Sequence, residues 1–179
     1  MIRKARREDF DFFYSIKCED DNLYWCGYRE RPVRENLLAF WNKYIPNDKE
    51  STPDAIDETC GDCLRGGMRE IYIVEEENRA VGYLYIDYSE DAQAELSIGI
   101  SNAESGNGYG TKAVKEAAAY LHTVKLSATA YIREDNDKSQ ALFKRAGLVR
   151  TDEYREMMLP CGENEKVVKL YRWESEYRP

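Results

Sequence analysis

A strand-like segment, a glycine-rich loop and a helix-like segment follow one another in this chain, and they constrain its fold more than any other feature. Apolar and polar residues alternate through residues 94–101, AELSIGIS, with the period of two that is typical of a β-strand. The loop SGNGYG at 105–110 precedes an apolar stripe at helical spacing in 110–122, and a second alternating segment follows at 126–132. Because such crossovers are right-handed and join parallel strands, we expect these two strands to be parallel in one sheet.

The remaining periodicities predict an α/β or α+β fold around one mixed sheet. Asn136 or Asp137 is expected to cap the helix at 135–148, and Gly147 to end it. Pro32 is expected in the first turn of the helix at 31–45. Further strands are expected at 1–5, 69–75, 80–88, 149–159 and 166–174, a further helix at 7–17, and a loop with a short helix near 53–64 within 47–68.

The charge balance limits the classes of partner. The 179 residues contain 26 Lys and Arg against 34 Asp and Glu, a formal charge of −8. Nucleic acids and anionic lipids favour a basic face, so we expect neither a nucleic-acid nor a membrane partner, and a cationic substrate is favoured. No apolar run approaches the ~20 residues of a membrane span. The opening MIRKARREDF lacks the apolar core of a signal peptide, so the expected location is the cytoplasm.

The cysteines predict free thiols and no metal. The chain has five of them, an odd number that does not suggest a disulfide framework. Cys60 and Cys63 have metal or redox spacing, but a structural zinc needs two more ligands. His122 is the only histidine, and Cys161 is distant in sequence.

The glycine-rich loop has the properties of an anion-binding turn. Glycines let the backbone approach a ligand closely, and free N–H groups at a helix start attract an anion. The two common nucleotide motifs do not fit, because the glycines fall as G-x-G-x-G and no Gly-Lys-Ser/Thr is present. The alternative interpretation is a sharp strand-to-helix turn with no ligand.

This loop resembles the pyrophosphate-binding motif Q/R-x-x-G-x-G/A of the GNAT superfamily of N-acetyltransferases, with Ser105, Gly108 and Gly110 at its defined positions. The block NDKSQALFKRAGL at 136–148 is similar to the family's N-x-x-S-x-x-L-Y-x-K-x-G-F segment. The resemblance covers roughly residues 69–150, and the helical N-terminal part is most similar to the RimJ/RimL-type branch. It implies an α+β fold, an α/β/α sandwich. Its mixed, mostly antiparallel sheet would have six or seven strands, with helices on both faces and the fourth and fifth strands splayed apart.

The resemblance further implies transfer of an acetyl group from acetyl-CoA to a primary amine by direct attack on the thioester. Pantetheine would lie between the splayed strands, and a strand N–H, such as that of Ile98, would hold the oxyanion. One domain is implied over 1–179, with acceptor-side helices in 1–68, an acetyl-CoA core in 69–150 and late strands in 151–179 that could form a homodimer. The implied cofactor-binding residues are Ile98, Gly99, Ile100, Ser105, Gly106, Asn107, Gly108, Tyr109, Gly110, Thr111, Asn136 and Phe143.

A base must take a proton from the ammonium ion before the amine can attack. Glu95 is the candidate, since it lies on the polar side of the strand before the loop, where family members often carry a glutamate. A structural salt bridge is the alternative. Phe143 stands where many members have the tyrosine that protonates the leaving thiolate. Tyr131 and Ser139 are weaker candidates for this acid, or CoA leaves as a thiolate, which a thiol pKa near ~8.5 tolerates.

The acceptor remains open among a protein N-terminus, a small amine, an amino sugar, an aminoglycoside and a polyamine. Residues 20–25, DDNLYW, combine acidic and aromatic side chains where family members often build the acceptor site. A non-catalytic acyl-CoA-binding or regulatory module on the same fold is the alternative. A transferase that uses aminoacyl-tRNA is disfavoured by the acidic balance.

Overall fold

One seven-stranded sheet organises the chain. The computed structural model describes residues 1–45, 68–89, 91–161 and 164–175. The strands are β1 (Ile2–Lys4), β2 (Arg69–Glu76), β3 (Arg79–Tyr88), β4 (Gln93–Ile100), β5 (Ser127–Arg133), β6 (Leu148–Cys161) and β7 (Asn164–Ser175). The α-helices of the described residues are α1 (Phe10–Lys17), α2 (Asp20–Cys26), α3 (Arg34–Tyr44), α4 (Tyr109–Thr123) and α5 (Asp137–Ala146), and short 3₁₀ helices span Arg7–Asp9 and Asn102–Glu104.

The strand order confirms the expected fold class. The strands lie in the order β1-β2-β3-β4-β5-β7-β6. The β4–β5 pair is parallel, and every other neighbouring pair is antiparallel. The parallel pair is the one joined through α4, as the crossover rule predicts.

Local sequence explains several element boundaries. Glu77 and Asn78 form the turn between β2 and β3 with φ values of +50° and +62°, which suits the twist of a two-residue hairpin. Asn136 caps α5, and Gly147 ends it in the left-handed conformation at φ +97°, both as predicted. The predicted buried stripe of α4 is also confirmed: Ala113, Val114, Ala117, Ala118 and Leu121 are all buried.

The first half of the chain departs from expectation at two places. Residues 20–26 form the helix α2, which the sequence did not predict because its seven residues include none that is buried. Gly27 ends this helix with φ +75°. Pro32 was expected in the first turn of α3, but that helix begins at Arg34 with Val33 as its N-cap, so Pro32 lies before the helix.

Two apolar cores lie on opposite faces of the sheet. Tyr83 and Leu84 are neighbours in β3, so their side chains point to opposite faces. Leu84 belongs to the core shared with α4 and α5, whereas Tyr83 belongs to the core shared with α1 and α3. Helices therefore cover both faces of the sheet, as predicted.

Some sequence predictions fall outside the described residues. The short helix near 53–64 and the Cys60 and Cys63 pair are among them. Within the described ranges, no group of three or more His, Cys, Asp or Glu residues is placed to hold a metal ion. None of the helices in the same ranges has the length and apolar character needed to cross a membrane.

Phe13 tests the core between α1, α3 and the sheet. Its side chain is fully buried, and its ring centroid lies 4.7 Å from that of Trp41 and 5.1 Å from that of Tyr83. We expect Phe13→Ala to lower the free energy of unfolding by about 3–5 kcal/mol, because it removes a large apolar group and leaves a cavity. Urea unfolding measures this loss. Phe12→Ala is the control, since Phe12 is only partly buried at the edge of the same core. Equal losses in the two variants would contradict the assignment of Phe13 to the centre of this core.

Candidate functional site

A gap opens in the sheet between β4 and β5. The two strands pair only at Gln93–Ser127, Ala94–Ala128 and Glu95–Thr129. Beyond this point β4 continues to Ile100 and β5 to Arg133 without pairing to each other, while β7 pairs with the opposite edge of β5. Among the described residues, 96–100 therefore have no strand partner on the edge that faces β5. Their backbone N–H and C=O groups on this edge can pair with an extended ligand.

The side chains of β4 divide between the two faces of the sheet. Ile98 and Ile100 are partly buried and pack against the core shared with α4. Gly99 faces the other way, where an added Cβ would lie 2.5 Å from Cε1 of Tyr83. A side chain at Gly99 would therefore collide with the tyrosine ring on β3, and this contact explains the glycine.

The glycine-rich loop lies at the end of β4 and is open to solvent. Gly106 and Gly108 have φ values of +89° and +82°, which strongly favour glycine. A Cβ at either position would meet nothing within 4 Å. Ser105 and Asn107 are also exposed. The loop therefore has room for a ligand beside its backbone.

The loop leads directly into the N-terminus of α4. Gly108 is the N-cap, with no side-chain cap, and no acidic residue lies in the first turn. The first helical bond shown at this end runs from the N–H of Lys112 to the carbonyl of Gly108, at 3.1 Å. The N–H groups of Tyr109, Gly110 and Thr111 precede it and have no intrahelical acceptor. Together with the positive end of the helix dipole, they can bind a phosphate.

The second sequence block positions α5 against this helix. Gly110 is buried, and an added Cβ would lie 2.5 Å from Cδ1 of Leu142. The missing side chain lets α5 pack closely on the start of α4. The side-chain oxygen of Asn136 accepts a hydrogen bond from the N–H of Ser139 at 3.0 Å, and so caps α5. Phe143 is 2% exposed and lies in the core beneath the two helices.

Glu95 and Tyr131 come together on the other face of the sheet, through a residue that sequence reasoning missed. Arg155 on β6 donates from Nη2 to Oε1 of Glu95 at 2.9 Å and from Nη1 to Oε2 at 3.3 Å. Its Cζ lies 4.1 Å from the ring centroid of Tyr131. The hydrogen bonds of the described residues do not connect Ser139 to this group. No sequence signal links Arg155 to Glu95, which stands 60 residues earlier.

The helix α2 docks against the end of β5, next to the gap. Arg133 is 4% exposed and donates to the carbonyl of Tyr24 at 3.0 Å. Its Cζ lies 4.8 Å from the ring centroids of both Tyr24 and Trp25. Hydrogen bonds from Arg133 hold the pKa of the Asp135 carboxyl below its ordinary value. The aromatic residues of α2 therefore fix the position of this helix at the mouth of the gap.

A partly buried lysine lies between α1 and β3. Nζ of Lys17 lies 4.5 Å from the ring centroid of Tyr83, 5.1 Å from that of Tyr85 and 5.6 Å from that of Phe13. Burial alone would lower the pKa of Lys17, but the neighbouring Tyr83 and Tyr85 side chains outweigh this effect and raise it above its ordinary value. Lys17 is therefore an ammonium ion at neutral pH, held by aromatic faces.

Glu19 connects the first two helices to the loop that follows β4. Its carboxylate accepts hydrogen bonds from the hydroxyl of Ser101 and from the N–H of Asn102, each at 3.0 Å. A cavity of about 430 Å³ lies here, lined by Ser15, Cys18, Glu19, Asp20, Arg31 and Asn102. Both helices are thereby fixed relative to the glycine-rich loop.

The parallel strands β4 and β5 splay apart beside the glycine-rich start of α4, an arrangement that is typical of acyl-transferring enzymes. Sequence comparison identifies the family. Residues 1–149 match the family model described as the acetyltransferase (GNAT) domain. The chain belongs to this family and is an acyltransferase enzyme. The resemblance found in the loop and in the block at 136–148 is thus confirmed.

Solved structures share the fold at low sequence identity. A spermidine N-acetyltransferase from Vibrio cholerae, in complex with CoA and spermine, is 16% identical with a TM-score of 0.69, over 96% of this chain and 93% of its own. A ribosomal-protein-alanine N-acetyltransferase from Brucella melitensis is 16% identical with a TM-score of 0.69, over 98% of each chain. An aminoglycoside acetyltransferase in complex with coenzyme A and kanamycin is 15% identical with a TM-score of 0.68, over 98% of this chain and 94% of its own. None of the curated proteins matches this chain in sequence.

Proposed function

We propose that this protein transfers an acetyl group from acetyl-CoA to a primary amine. The observation that carries the proposal is the gap between β4 and β5, which opens beside the uncapped N-terminus of α4. Membership of the acetyltransferase family supports it. Structural neighbours with spermidine, aminoglycoside or ribosomal-protein substrates in their names support an amine acceptor without selecting one.

The residues around the gap fit acetyl-CoA. The open loop and the free N–H groups of the first turn of α4 would hold the pyrophosphate, and the unpaired edge of β4 would pair with the pantetheine amides. Asn136 and Phe143 support this site by capping and anchoring α5. The residues proposed to form the cofactor site, with Asn136 and Phe143 acting through α5, are Ile98, Gly99, Ile100, Ser105, Gly106, Asn107, Gly108, Tyr109, Gly110, Thr111, Asn136 and Phe143.

The phosphate site can be tested at Thr111, in the first turn of α4. We expect Thr111→Glu to raise the Kd of CoA about tenfold or more, because a carboxylate there repels the pyrophosphate. Isothermal titration calorimetry measures this. The same carboxylate favours the helix start, so the fold should be retained. Thr111→Gln is the matched control and should change the Kd by about threefold or less. Equal effects of the two substitutions would argue against a phosphate at this helix.

Glu95 is proposed as the base and Tyr131 as the first candidate acid. Acetyl-CoA supplies the acetyl group as a reactive thioester. Glu95 is the last residue of β4 that pairs with β5. Its carboxylate would take the ammonium proton, directly or through water. Tyr131 lies on the same face of the sheet and would protonate the leaving thiolate. Ser139 remains the second candidate acid. Phe143 has no proton to donate and is buried in the core.

Replacing Glu95 separates its two possible roles. We expect Glu95→Gln to lower kcat/KM for the amine about 100-fold, because the amide cannot accept the proton. A steady-state assay of CoA release measures this. Glu153→Gln is the control, since Glu153 is exposed and pairs with Arg172 on a neighbouring part of the sheet. An unchanged pH profile and rate for Glu95→Gln would leave Glu95 with only its salt bridge to Arg155.

The last two strands bear on the extent of the domain. β6 and β7 lie beyond the matched residues 1–149 in large part, yet they complete the same sheet. We therefore propose one acyltransferase domain over residues 1–179. Its proposed location is the cytoplasm. A homodimer through the late strands, with neither nucleic acid nor membrane as partner, completes this proposal.

An acceptor panel with acetyl-CoA, assayed by CoA release with a free-thiol reagent, tests the function as a whole. The panel contains spermidine, kanamycin, glucosamine, butylamine and a peptide with a free N-terminus. We expect at least one of these amines to accelerate CoA release. Tight binding of acetyl-CoA with no acceleration by any amine would contradict the proposal and favour an acyl-CoA-binding module.

A further inference from the structure

The proposed base is already bound by a cation of the protein itself. Both oxygens of Glu95 accept hydrogen bonds from Arg155, which approaches them with two different nitrogens. These two hydrogen bonds use one acceptor position on each oxygen of the carboxylate. A substrate ammonium ion that takes the same place beside Glu95 must displace the guanidinium.

The surroundings of this guanidinium are those of a cation-binding site. Glu95 supplies a carboxylate, and Tyr131 supplies an aromatic face whose centroid lies 4.1 Å from Cζ of Arg155. A carboxylate beside an aromatic face binds an alkylammonium ion as well as a guanidinium. The pair Glu95–Thr129 is the last one before β4 and β5 separate, so this site lies at the start of the gap.

The side chain of Arg155 is exposed enough to move away from Glu95. Its side chain is 52% exposed, whereas that of Glu95 is 28% exposed. Ion pairs with an exposed partner contribute little to stability, so an arriving cation can replace the guanidinium at small cost. By contrast, Arg133 is almost fully buried against α2 and its pair with Asp135 belongs to the fold.

We propose that Arg155 is a specificity-determining residue, because its guanidinium occupies the site of the acceptor's ammonium group. The acceptor is then a cation that displaces the guanidinium of Arg155 from the Glu95 carboxylate and the Tyr131 ring. This inference rests on the proposed function, since it names the acceptor class of the same site. It predicts that Arg155 competes with the substrate. Removing the competitor strengthens acceptor binding and leaves the acetyl-CoA site unchanged.

Kinetics of Arg155→Ala, with the most active amine of the panel, test the competition. The KM for the amine should fall about three- to fivefold, which is the contribution expected from an ion pair with one exposed partner. The KM for acetyl-CoA should stay within about twofold of its original value. Arg155→Lys keeps a cation near Glu95 and should restore a higher KM for the amine. Arg150→Ala is the matched control, because Arg150 lies on the same strand with its Cζ 3.6 Å from the ring centroid of Tyr171. An unchanged or higher KM for the amine in Arg155→Ala overturns the proposal, and a higher value would indicate that Arg155 binds a carboxylate of the acceptor instead.

A binding experiment keeps this test independent of turnover. Methylguanidinium chloride is titrated into the full chain and followed by NMR of the Tyr131 ring. Arg155→Ala should bind methylguanidinium about fivefold or more tightly than the original protein, and Arg155→Ala combined with Glu95→Gln should lose this gain. Equal affinities in the three proteins overturn the proposal even if an amine is acetylated. A gain that depends on Glu95 supports the cation site even if every panel amine fails, in which case it is the proposed function that is contradicted.

Discussion

The separation of β4 and β5 after three paired residues is the constraint on which the rest of the structure depends. A strand edge without a partner leaves backbone N–H and C=O groups unpaired, and the sheet loses continuity at its centre. The strand β5 is held on its other edge by β7, and α4 packs across the strands on one face. On the other face, Glu19 and Arg133 fix α1 and α2 to the two sides of the gap. A ligand with its own amide groups would complete the hydrogen bonding of β4.

Local charge on the acceptor face differs from what the net charge suggests. The chain carries −8 overall, yet Lys17, Arg133 and Arg155 all lie on this face of the sheet. Each is held by aromatic rings, and both arginines also pair with a carboxylate. This face therefore carries basic side chains although the chain is acidic overall. A net charge describes solubility and long-range attraction, whereas selection of an acceptor depends on which pairs a substrate can replace.

Sequence periodicity predicted the central unit well because its signals are local. The alternation in β4, the stripe of α4 and the cap of α5 each depend on residues a few positions apart, and all three are confirmed. The helix α2 was missed because a short exposed helix has no buried stripe. The contact between Glu95 and Arg155 was beyond prediction for another reason. A bulge in β6 sets three residues, 151–153, against the single residue Arg172 on β7, and so determines that Arg155 lies opposite Leu170.

The two halves of the proposed site use different chemistry, and this explains what can vary in each. Phosphates would be held by backbone N–H groups, so Ser105 can replace the usual Gln or Arg without loss of the site. Because backbone groups carry no formal charge, the net charge of the chain does not reveal such a phosphate site. The acceptor side depends on side chains, so changes in β4, β5 and β6 can alter its selectivity while the fold stays the same. A partly buried carboxylate without a partner would be costly at the start of the gap. Arg155 provides that partner at rest, and an ammonium ion would provide it during the reaction.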